Sequence, residues 1–173
     1  KLTIYAVTPE AAPFSKTGGL GEVGQGLPLA LAKRGHDVEL ILPMHTGRIQ
    51  NGIDQNLPFP RTHTFDGVKI QFDAHELQAR FYETEIAVNG GSRVNVSLVD
   101  ANNYSVFGGR AFKDLYSGID DAHRFYFFNL VAANMFKAGK NSVVHTHDWQ
   151  TGHIHTLLKT EFLHLSLPSF YTI

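Results

Sequence analysis

A strand–helix–strand order at the start of the chain constrains the fold more than any other feature. Residues 2–7 (LTIYAV) and 37–42 (DVELIL) are short apolar runs, which predicts two buried strands. The apolar residues between them recur at helical spacing and predict the buried face of a helix that ends at Gly35: Leu20, Val23, Leu27, Ala30 and Leu31. Pro28 either kinks this helix or begins its regular part. Two strands joined by a helix imply a parallel sheet, and so an α/β fold flanked by helices.

The middle of the chain follows a different pattern. Residues 68–77, 79–88 and 93–100 alternate or run apolar, and Asn89-Gly90-Gly91 is a strong hairpin signal. We therefore predict an inserted antiparallel hairpin region that returns to the sheet near Val99. The alternation of helices and strands then resumes. We predict a helix over 120–139, capped by Asp120 or Asp121 and stopped by Gly139, and then a strand over 142–147. A helix over 149–165, whose inward face is Ile154, Leu157, Leu158 and Phe162, leads to a last strand over 169–173.

Composition excludes several classes of partner. The chain has 173 residues with 15 basic and 16 acidic side chains, so we expect it to bind neither nucleic acid nor a membrane surface. It contains no cysteine, which excludes disulfides and suits a reducing compartment. The first residue is Lys1 and the last residues form a strand-like run, so we expect a single domain that is part of a longer protein.

The segment SKTGGLGEVGQG (residues 15–26) holds five glycines and one lysine. Its GxGxxG spacing matches a dinucleotide fingerprint, but eleven residues separate Val7 from Gly19 and no carboxylate ends the second strand. A nicotinamide or flavin site is therefore rejected. The glycines either form a turn that packs the helix tightly, or expose N–H groups to a ligand.

Lys16 favours the ligand interpretation. An ammonium beside Gly18 and Gly19, at the start of a helix, is suited to a phosphate. The lysine precedes the glycines and no GK[ST] follows, so the loop is not a Walker A motif. This arrangement predicts recognition of a substrate's diphosphate.

Ten histidines raise the possibility of a metal site. His145-Thr146-His147-Asp148 begins like a metallo-hydrolase motif, but Trp149 and Gln150 stand where further ligands are needed. His153 and His155 lie two apart on a predicted helix and therefore point to different sides. We expect no metal, and a backbone hydrogen bond for His145.

Four segments resemble the bacterial glycogen synthase and plant starch synthase family. KTGGL (residues 16–20) is that family's hallmark, DDAHRF (120–125) is similar to its DNxxRF element, and VVHTHDWQTG (143–152) is similar to its HxHDWH segment. The final PSFYTI resembles the strand before the family's His-Asn pair. KTGGL and HDW, in this order and about 130 residues apart, are a specific signal.

The resemblance implies the N-terminal, acceptor-side half of a GT-B fold, with the second Rossmann-like domain in the missing part of the chain. It implies a retaining transferase that moves glucose from ADP-glucose or UDP-glucose to the non-reducing end of an α-1,4-glucan, without metal or cofactor. The expected location is cytoplasmic, or the plastid stroma in a plant.

The same resemblance assigns roles to individual residues. Lys16, Gly18 and Gly19 would contact the donor's diphosphate and sugar, and Glu22 would contact substrate. Asp120 and the main-chain carbonyl of His147 would lie beside the reacting sugars, as catalytic residues. From the residues alone, a helix cap that pairs with Arg124 is the favoured interpretation of Asp120.

Three positions depart from the family pattern. Glu22 replaces aspartate, Asp121 replaces asparagine, and Gln150 stands where histidine is common. The family's loop before the second long helix is only faintly echoed in NYSVFGGRAFKDLYSG, whose aromatic residues either stack on sugar rings or fill gaps. These departures motivate one alternative function, a non-catalytic glucan-binding or regulatory module derived from such an enzyme.

Overall fold

The structure is a computed structural model that describes residues 1–45, 69–72, 75–88, 90–101, 116 and 121–173. These residues form an α/β fold built on one seven-stranded sheet. The elements in chain order are β1 (Thr3–Val7), α1 (Gly19–Lys33), β2 (Asp37–Pro43), β3 (Lys69–Phe72), β4 (His75–Ala87), β5 (Arg93–Ala101), α2 (Asp121–Met135), β6 (Ser142–His147), a 3₁₀ turn (Trp149–Thr151), α3 (His153–Lys159), a second 3₁₀ turn (Leu163–Leu165) and β7 (Ser169–Thr172). None of the helices in these ranges is both long enough and apolar enough to cross a membrane.

The strand order is β3-β4-β5-β2-β1-β6-β7, and the five strands from β5 to β7 run parallel. From β1 the chain first builds outward through β2 to β5, and later returns to build β6 and β7 on the other side. The order of the strands therefore reverses between β1 and β6. In open α/β sheets the crevice beyond the carboxyl ends of the strands at such a reversal is the usual ligand site.

The predicted fold class is confirmed, including the inserted antiparallel region. β3 and β4 pair antiparallel, β4 pairs antiparallel with β5, and β5 rejoins the parallel sheet with Val99 opposite Pro43. Gly90 and Gly91 have φ of +92° and +81°, as the hairpin signal requires. Asn89, the other residue of that signal, lies outside the described residues.

The predicted buried face of α1 is mostly wrong, since Val23 and Ala30 are exposed, although the partly buried Leu31 packs against the core. The buried residues of this helix are Gly21, Gly24, Pro28 and Ala32, whereas Val23 is 47% exposed. The helix lies so close to the loop after β1 that a Cβ on Gly24 would stand 2.3 Å from the carbonyl oxygen of Glu10. Small residues are required there, and the larger apolar side chains flank the contact. The helix runs from Gly19 through Pro28, so the proline does not begin it.

The predicted helix over 120–139 is shorter in the structure. α2 ends at Met135. Two residues later the N–H of Lys137 donates to the hydroxyl of Tyr5 on β1 at 3.1 Å, in place of a carbonyl within the helix. The aromatic residues of α2 lie in the core, with Phe125, Phe127 and Phe128 at most 1% exposed.

The single helix predicted over 149–165 is divided into a 3₁₀ turn, the short α3 and a second 3₁₀ turn. α3 ends at Lys159, and the hydroxyl of the next residue, Thr160, donates to the carbonyl of Thr156 in the last turn of the helix. The inward face is confirmed, since Ile154, Leu157 and Leu158 are buried and Phe162 packs against the core.

Candidate functional site

The two motifs that the sequence singles out meet at one edge of the sheet. The glycine segment follows β1, and His-Asp-Trp lies at the end of β6. β1 and β6 are neighbouring parallel strands, with Val7 opposite Thr146. Both motifs therefore lie at the carboxyl edge, where the strand order reverses. The predicted site residues placed there are Lys16, Gly18, Gly19, Glu22 and His147, whereas Asp120 lies outside the described residues.

Lys16 already binds a carboxylate. Its Nζ lies 2.5 Å from Oε1 of Glu22 in the first turn of α1, and the two side chains are 44% and 69% exposed. The hydrogen bond from Lys16 and its positive charge together lower the pKa of Glu22. The Lys16 ammonium is thus positioned to hold an oxygen anion in water-accessible surroundings.

The glycines of this segment fall into two classes. A Cβ on Gly21 would stand 2.8 Å from Cγ of Lys16, and a Cβ on Gly24 would collide with Glu10, so these two glycines serve packing. A Cβ on Gly18 or Gly19 would meet no atom of the described chain within 4 Å, and Gly18 is in an extended conformation with φ of −149°. Neither crowding nor φ within the chain explains why these two positions are glycine.

Glu10 organises the loop, and the sequence analysis missed it. This side chain is 2% exposed; its Oε2 accepts the N–H of Thr17 at 2.5 Å, and both carboxylate oxygens lie within 3.2 Å of the Thr17 hydroxyl. Oε1 also accepts the hydroxyl of Tyr116 at 3.1 Å. Burial first, and then the charge of Glu10, raise the pKa of Tyr116 to about 12. A lone acidic residue in the apolar stretch TPEAAPF is the signal that points to it.

His45 supports the same loop from the neighbouring strand. It follows β2, is fully buried, and its Nε2 donates to the carbonyl oxygen of Pro9 at 3.0 Å. The N–H of Ala12 donates to the carbonyl of Gly21 at 2.9 Å, which joins the loop to α1. The start of the loop is therefore fixed, while its Lys16 end remains exposed.

His147, at the end of β6, is buried and neutral. Its side chain is 2% exposed and its ring stacks on that of His145, with 4.4 Å between the centroids. Burial, and then the proximity of His145, lower the pKa of His147 to about 4. Its Nε2 has no hydrogen-bond partner among the described residues. Its carbonyl oxygen accepts the hydroxyl of Thr151 at 2.7 Å.

Asp148 holds a conformation that non-glycine residues rarely adopt, with φ of +63° and ψ of 169°. Its carboxylate accepts the N–H of Trp149 at 2.7 Å, and its own N–H donates to the carbonyl of Thr172 on β7 at 2.8 Å. Trp149 is 52% exposed and lies edge-on against Phe125 at 5.6 Å. Backbone strain of this kind is concentrated at functional sites.

Asn129 on α2 secures the turn that follows His-Asp-Trp. It is fully buried, and its Nδ2 donates to the carbonyl of Gln150 at 2.7 Å and to that of Phe125. Its Oδ1 accepts the N–H of Ile154 at 3.0 Å. Asn129 was not among the residues predicted from the sequence.

The acidic start of α2 is only partly described. Asp121 is the first residue of the helix, and its carboxylate lies 2.5 Å from Nη2 of the buried Arg124. The ion pair predicted between Asp120 and Arg124 lies outside the described residues, and it stays a prediction.

Two of the histidines at this edge, His145 and His155, are hydrogen-bonded to hydroxyl groups. The described residues contain no group of three or more side chains able to hold a metal ion. His145 Nε2 lies 2.8 Å from the hydroxyl of Thr172, so the backbone partner predicted for it is wrong. The two ring nitrogens of His155 lie within 2.8 Å of the hydroxyls of Thr146 and Ser169.

Comparison with known proteins identifies relatives along almost the whole chain. Residues 3–173 match the family described as the starch synthase catalytic domain. The chain is 34% identical over 165 residues to a glycogen synthase of Clostridium botulinum (strain Eklund 17B / Type B), covering 94% of this chain and 31% of the relative. It is 34% identical over 176 residues to a glycogen synthase of Cellvibrio japonicus (strain Ueda107), covering 96% and 33%. The chain spans about a third of the length of these relatives.

A solved structure shows the same fold. The catalytic domain of starch synthase IV from Arabidopsis thaliana, bound to ADP and acarbose, superposes with a TM-score of 0.74 at 26% identity. The match covers 98% of this chain and 33% of that GT-B protein. The family match over residues 3–173, the curated relatives and the shared fold agree: this chain belongs to the starch synthase catalytic domain family.

Proposed function

We propose that residues 1–173 are the N-terminal, acceptor-side domain of a retaining glucosyltransferase. The reaction transfers glucose from ADP-glucose, or from UDP-glucose, to the non-reducing end of an α-1,4-glucan. One observation carries the proposal. Lys16 and two uncrowded glycines lie at the same edge of the sheet as the end of β6, where the strand order reverses. The ADP and acarbose bound to the Arabidopsis relative support a nucleotide and a glucan as ligands.

The donor's diphosphate binds at Lys16, Gly18 and Gly19. The N-terminus of α1, a helix of 15 residues, adds partial positive charge beside the ammonium. Because Gly18 and Gly19 have no side chains, a phosphate oxygen can approach the backbone there. The diphosphate gains negative charge as it leaves the sugar, so these groups stabilise the transition state more than the bound donor.

We assign the donor glucose to the end of β6, beside His147, and the family resemblance adds Asp120 as a second contact. The carbonyl oxygen of His147, which accepts the Thr151 hydroxyl, carries partial negative charge, and this charge favours the positive charge that develops on the sugar. Because the His147 ring is neutral, it adds no competing cation there. When Lys16 turns to the diphosphate, Glu22 is released and can accept a hydrogen bond from a sugar hydroxyl.

Transfer of glucose by the full-length protein tests the proposal. Labelled ADP-glucose and UDP-glucose are offered in parallel with glycogen, and Lys16→Ala should lower the rate by roughly 10²–10³-fold. Lys33→Ala, which removes an exposed lysine from the last turn of the same helix, is the matched control and should keep the rate. A full-length protein that binds glycogen but transfers no glucose would instead be a glucan-binding or regulatory module.

The domain assignment has its own test. The second Rossmann-like domain would supply most nucleotide contacts, so the isolated 173-residue chain should not extend glycogen. Elongation by the isolated chain, measured with the same label, would show that the proposed division of the site is wrong.

A further inference from the structure

A buried carboxylate lies directly behind the proposed diphosphate site, and that function does not use it. We propose that Glu10 is a positioning residue, which sets the backbone beside Lys16 through Thr17 and ties it to Tyr116, on the segment before α2. This inference rests on the proposed function, because the backbone concerned is the one assigned to the diphosphate.

The two oxygens of Glu10 have different partners. Oε2 accepts the N–H of Thr17, the residue between Lys16 and Gly18, at 2.5 Å. Oε1 accepts the hydroxyl of Tyr116 at 3.1 Å, across 106 positions of sequence. The Thr17 hydroxyl lies 3.2 Å and 3.1 Å from the two oxygens and links them. A shift of Tyr116 therefore reaches the Lys16 backbone through one side chain.

The main chain of Glu10 is fixed from behind, so its carboxylate acts as a rigid support. Its carbonyl accepts the hydroxyl of Thr8 at 2.9 Å and is in close contact with Gly24 of α1. The preceding carbonyl, of Pro9, is held by His45. A supporting shell locked in this way is what keeps a binding backbone in its productive geometry.

The charge of Glu10 makes the proposal easy to separate from an electrostatic one. A carboxylate close to a diphosphate repels it, so electrostatics alone predicts tighter binding when the charge is removed. Positioning predicts the opposite sign, because loss of the carboxylate releases Thr17 and the N–H groups next to it. The sign of the change in affinity therefore decides between the two roles.

The experiment measures ADP binding to the full-length protein by calorimetry, with thermal unfolding in parallel. Glu10→Ala should weaken ADP binding by about ten-fold, and Glu10→Gln, which keeps one acceptor for the Thr17 N–H, should restore part of it. Glu39→Gln is the matched control on β2: its carboxylate accepts the Ser97 hydroxyl at 2.6 Å, and its loss should leave ADP affinity unchanged.

Tyr116→Phe tests the second contact in a variant that keeps the half-exposed ring. We expect ADP affinity to fall about two- to five-fold, and Tyr116→Phe to have no further effect when added to Glu10→Ala. Tyr5→Phe removes a buried hydroxyl that accepts the N–H of Lys137 far along the core, and should alter unfolding but not ADP affinity.

The outcomes separate this inference from the function on which it rests. If Glu10→Ala binds ADP as tightly as the parent protein or more tightly, while Lys16→Ala weakens binding, the positioning role is wrong and the proposed function stands. If Glu10→Ala does not fold, the two milder variants decide. Unchanged ADP affinity in Tyr116→Phe shows that the contact between Glu10 and Tyr116 does not affect the site. Unchanged ADP affinity in both Glu10→Gln and Tyr116→Phe overturns the inference. If Lys16→Ala itself leaves ADP binding unchanged, the proposed function fails first.

Discussion

The two loops at the carboxyl edge of the sheet are built in opposite ways. The loop after β1 ends in an exposed lysine whose ammonium is paired with the exposed Glu22. The turn after β6 follows a buried, neutral histidine and is held by the buried Asn129 and by β7. One side of the candidate site is charged and exposed, whereas the other follows a buried histidine and is held by contacts on two sides.

The difference follows from the cost of burying charge. A full ammonium remains next to water and a counter-ion, because transfer of an unpaired charge to the interior is far more costly than transfer of a neutral imidazole. The loop after β1 can therefore exchange Glu22 for an incoming anion with little rearrangement. The turn after β6 cannot adapt in this way, so it defines the shape of the site. Variants that disturb each loop separately test this division.

The largest effect is expected in the rigid turn. Asn129→Leu leaves the carbonyl of Gln150 and the N–H of Ile154 buried without their partner, which should lower the free energy of unfolding by about 2–5 kcal/mol. Asn134→Leu is the matched control on the same helix. Asn134 is exposed and, among the described residues, donates to the Leu130 carbonyl at 2.9 Å, so its loss should change stability by about 0.5 kcal/mol or less. Urea unfolding measures both, and equal losses would contradict the fixed turn.

The next effect concerns the glycines of α1. Gly24→Ala places a Cβ 2.3 Å from the Glu10 carbonyl oxygen, so loop or helix must move, at a cost of about 1–3 kcal/mol or more. Gly26→Ala, two residues along the same helix, meets no atom of the described chain within 4 Å and should stabilise by about 0.5–1 kcal/mol. Urea unfolding gives the sign for each variant. A neutral Gly24→Ala would mean that the loop after β1 is not anchored on α1.

The same glycines show how far the sequence predicts this molecule. Apolar runs locate the strands of the parallel sheet because buried strands need no alternation. The face of α1 is predicted wrongly because periodicity rules weigh large apolar residues, whereas the close helix contact selects Gly21, Gly24 and Ala32. Some of these glycines are needed for close packing and others have open space around them. The difference depends on distances in the folded chain, which the spacing of glycines in the sequence does not encode.

Residues of the candidate site that belong to a sequence motif can be predicted. Residues that hold those motifs in place from distant positions of the chain cannot. Lys16 and His147 belong to motifs and are found at the expected edge. Asn129 acts on Gln150 across 21 positions, and Glu10 on Tyr116 across 106. Both are single polar residues in apolar surroundings, and their partners become visible only when the chain is folded.

A third, smaller effect is the pH dependence of stability that the buried His147 should cause. The pKa of His147 in the folded chain is lowered to about 4 by burial, so the folded state binds fewer protons than the unfolded chain, whose histidines titrate near about 6.5. Its contribution to stability is complete above about pH 6.5 and is lost as the pH falls toward 4. Between pH 7.5 and 5.5 we expect a loss of about 1 kcal/mol after partial solvent screening.

The control for this pH effect is a histidine outside the sheet edge. Urea unfolding from pH 7.5 to 5.5 is compared for the parent chain, His147→Gln and the exposed His164→Gln. The pH slope should become shallower in His147→Gln alone. Equal slopes in all three proteins would show that His147 is not held neutral by the fold.

The smallest effect is expected on the adaptable side. Glu22→Gln removes the carboxylate that occupies the Lys16 ammonium, so ADP binding to the full-length protein should strengthen roughly two- to five-fold at low salt, and less at high salt. Glu85→Gln breaks a comparable exposed ion pair, with Arg93 at 2.8 Å on β4 and β5, and should leave ADP affinity unchanged. Calorimetric titration with ADP measures both.

The comparison of ADP with ADP-glucose sharpens this last prediction. If Glu22 only competes for Lys16, its loss strengthens the binding of both ligands equally. If the released Glu22 also accepts a hydrogen bond from the sugar, the gain for ADP-glucose should be smaller than the gain for ADP, because the variant loses a contact as it loses a competitor. Weaker ADP binding in Glu22→Gln would mean that the carboxylate positions Lys16, and that this side of the site is preorganised like the other.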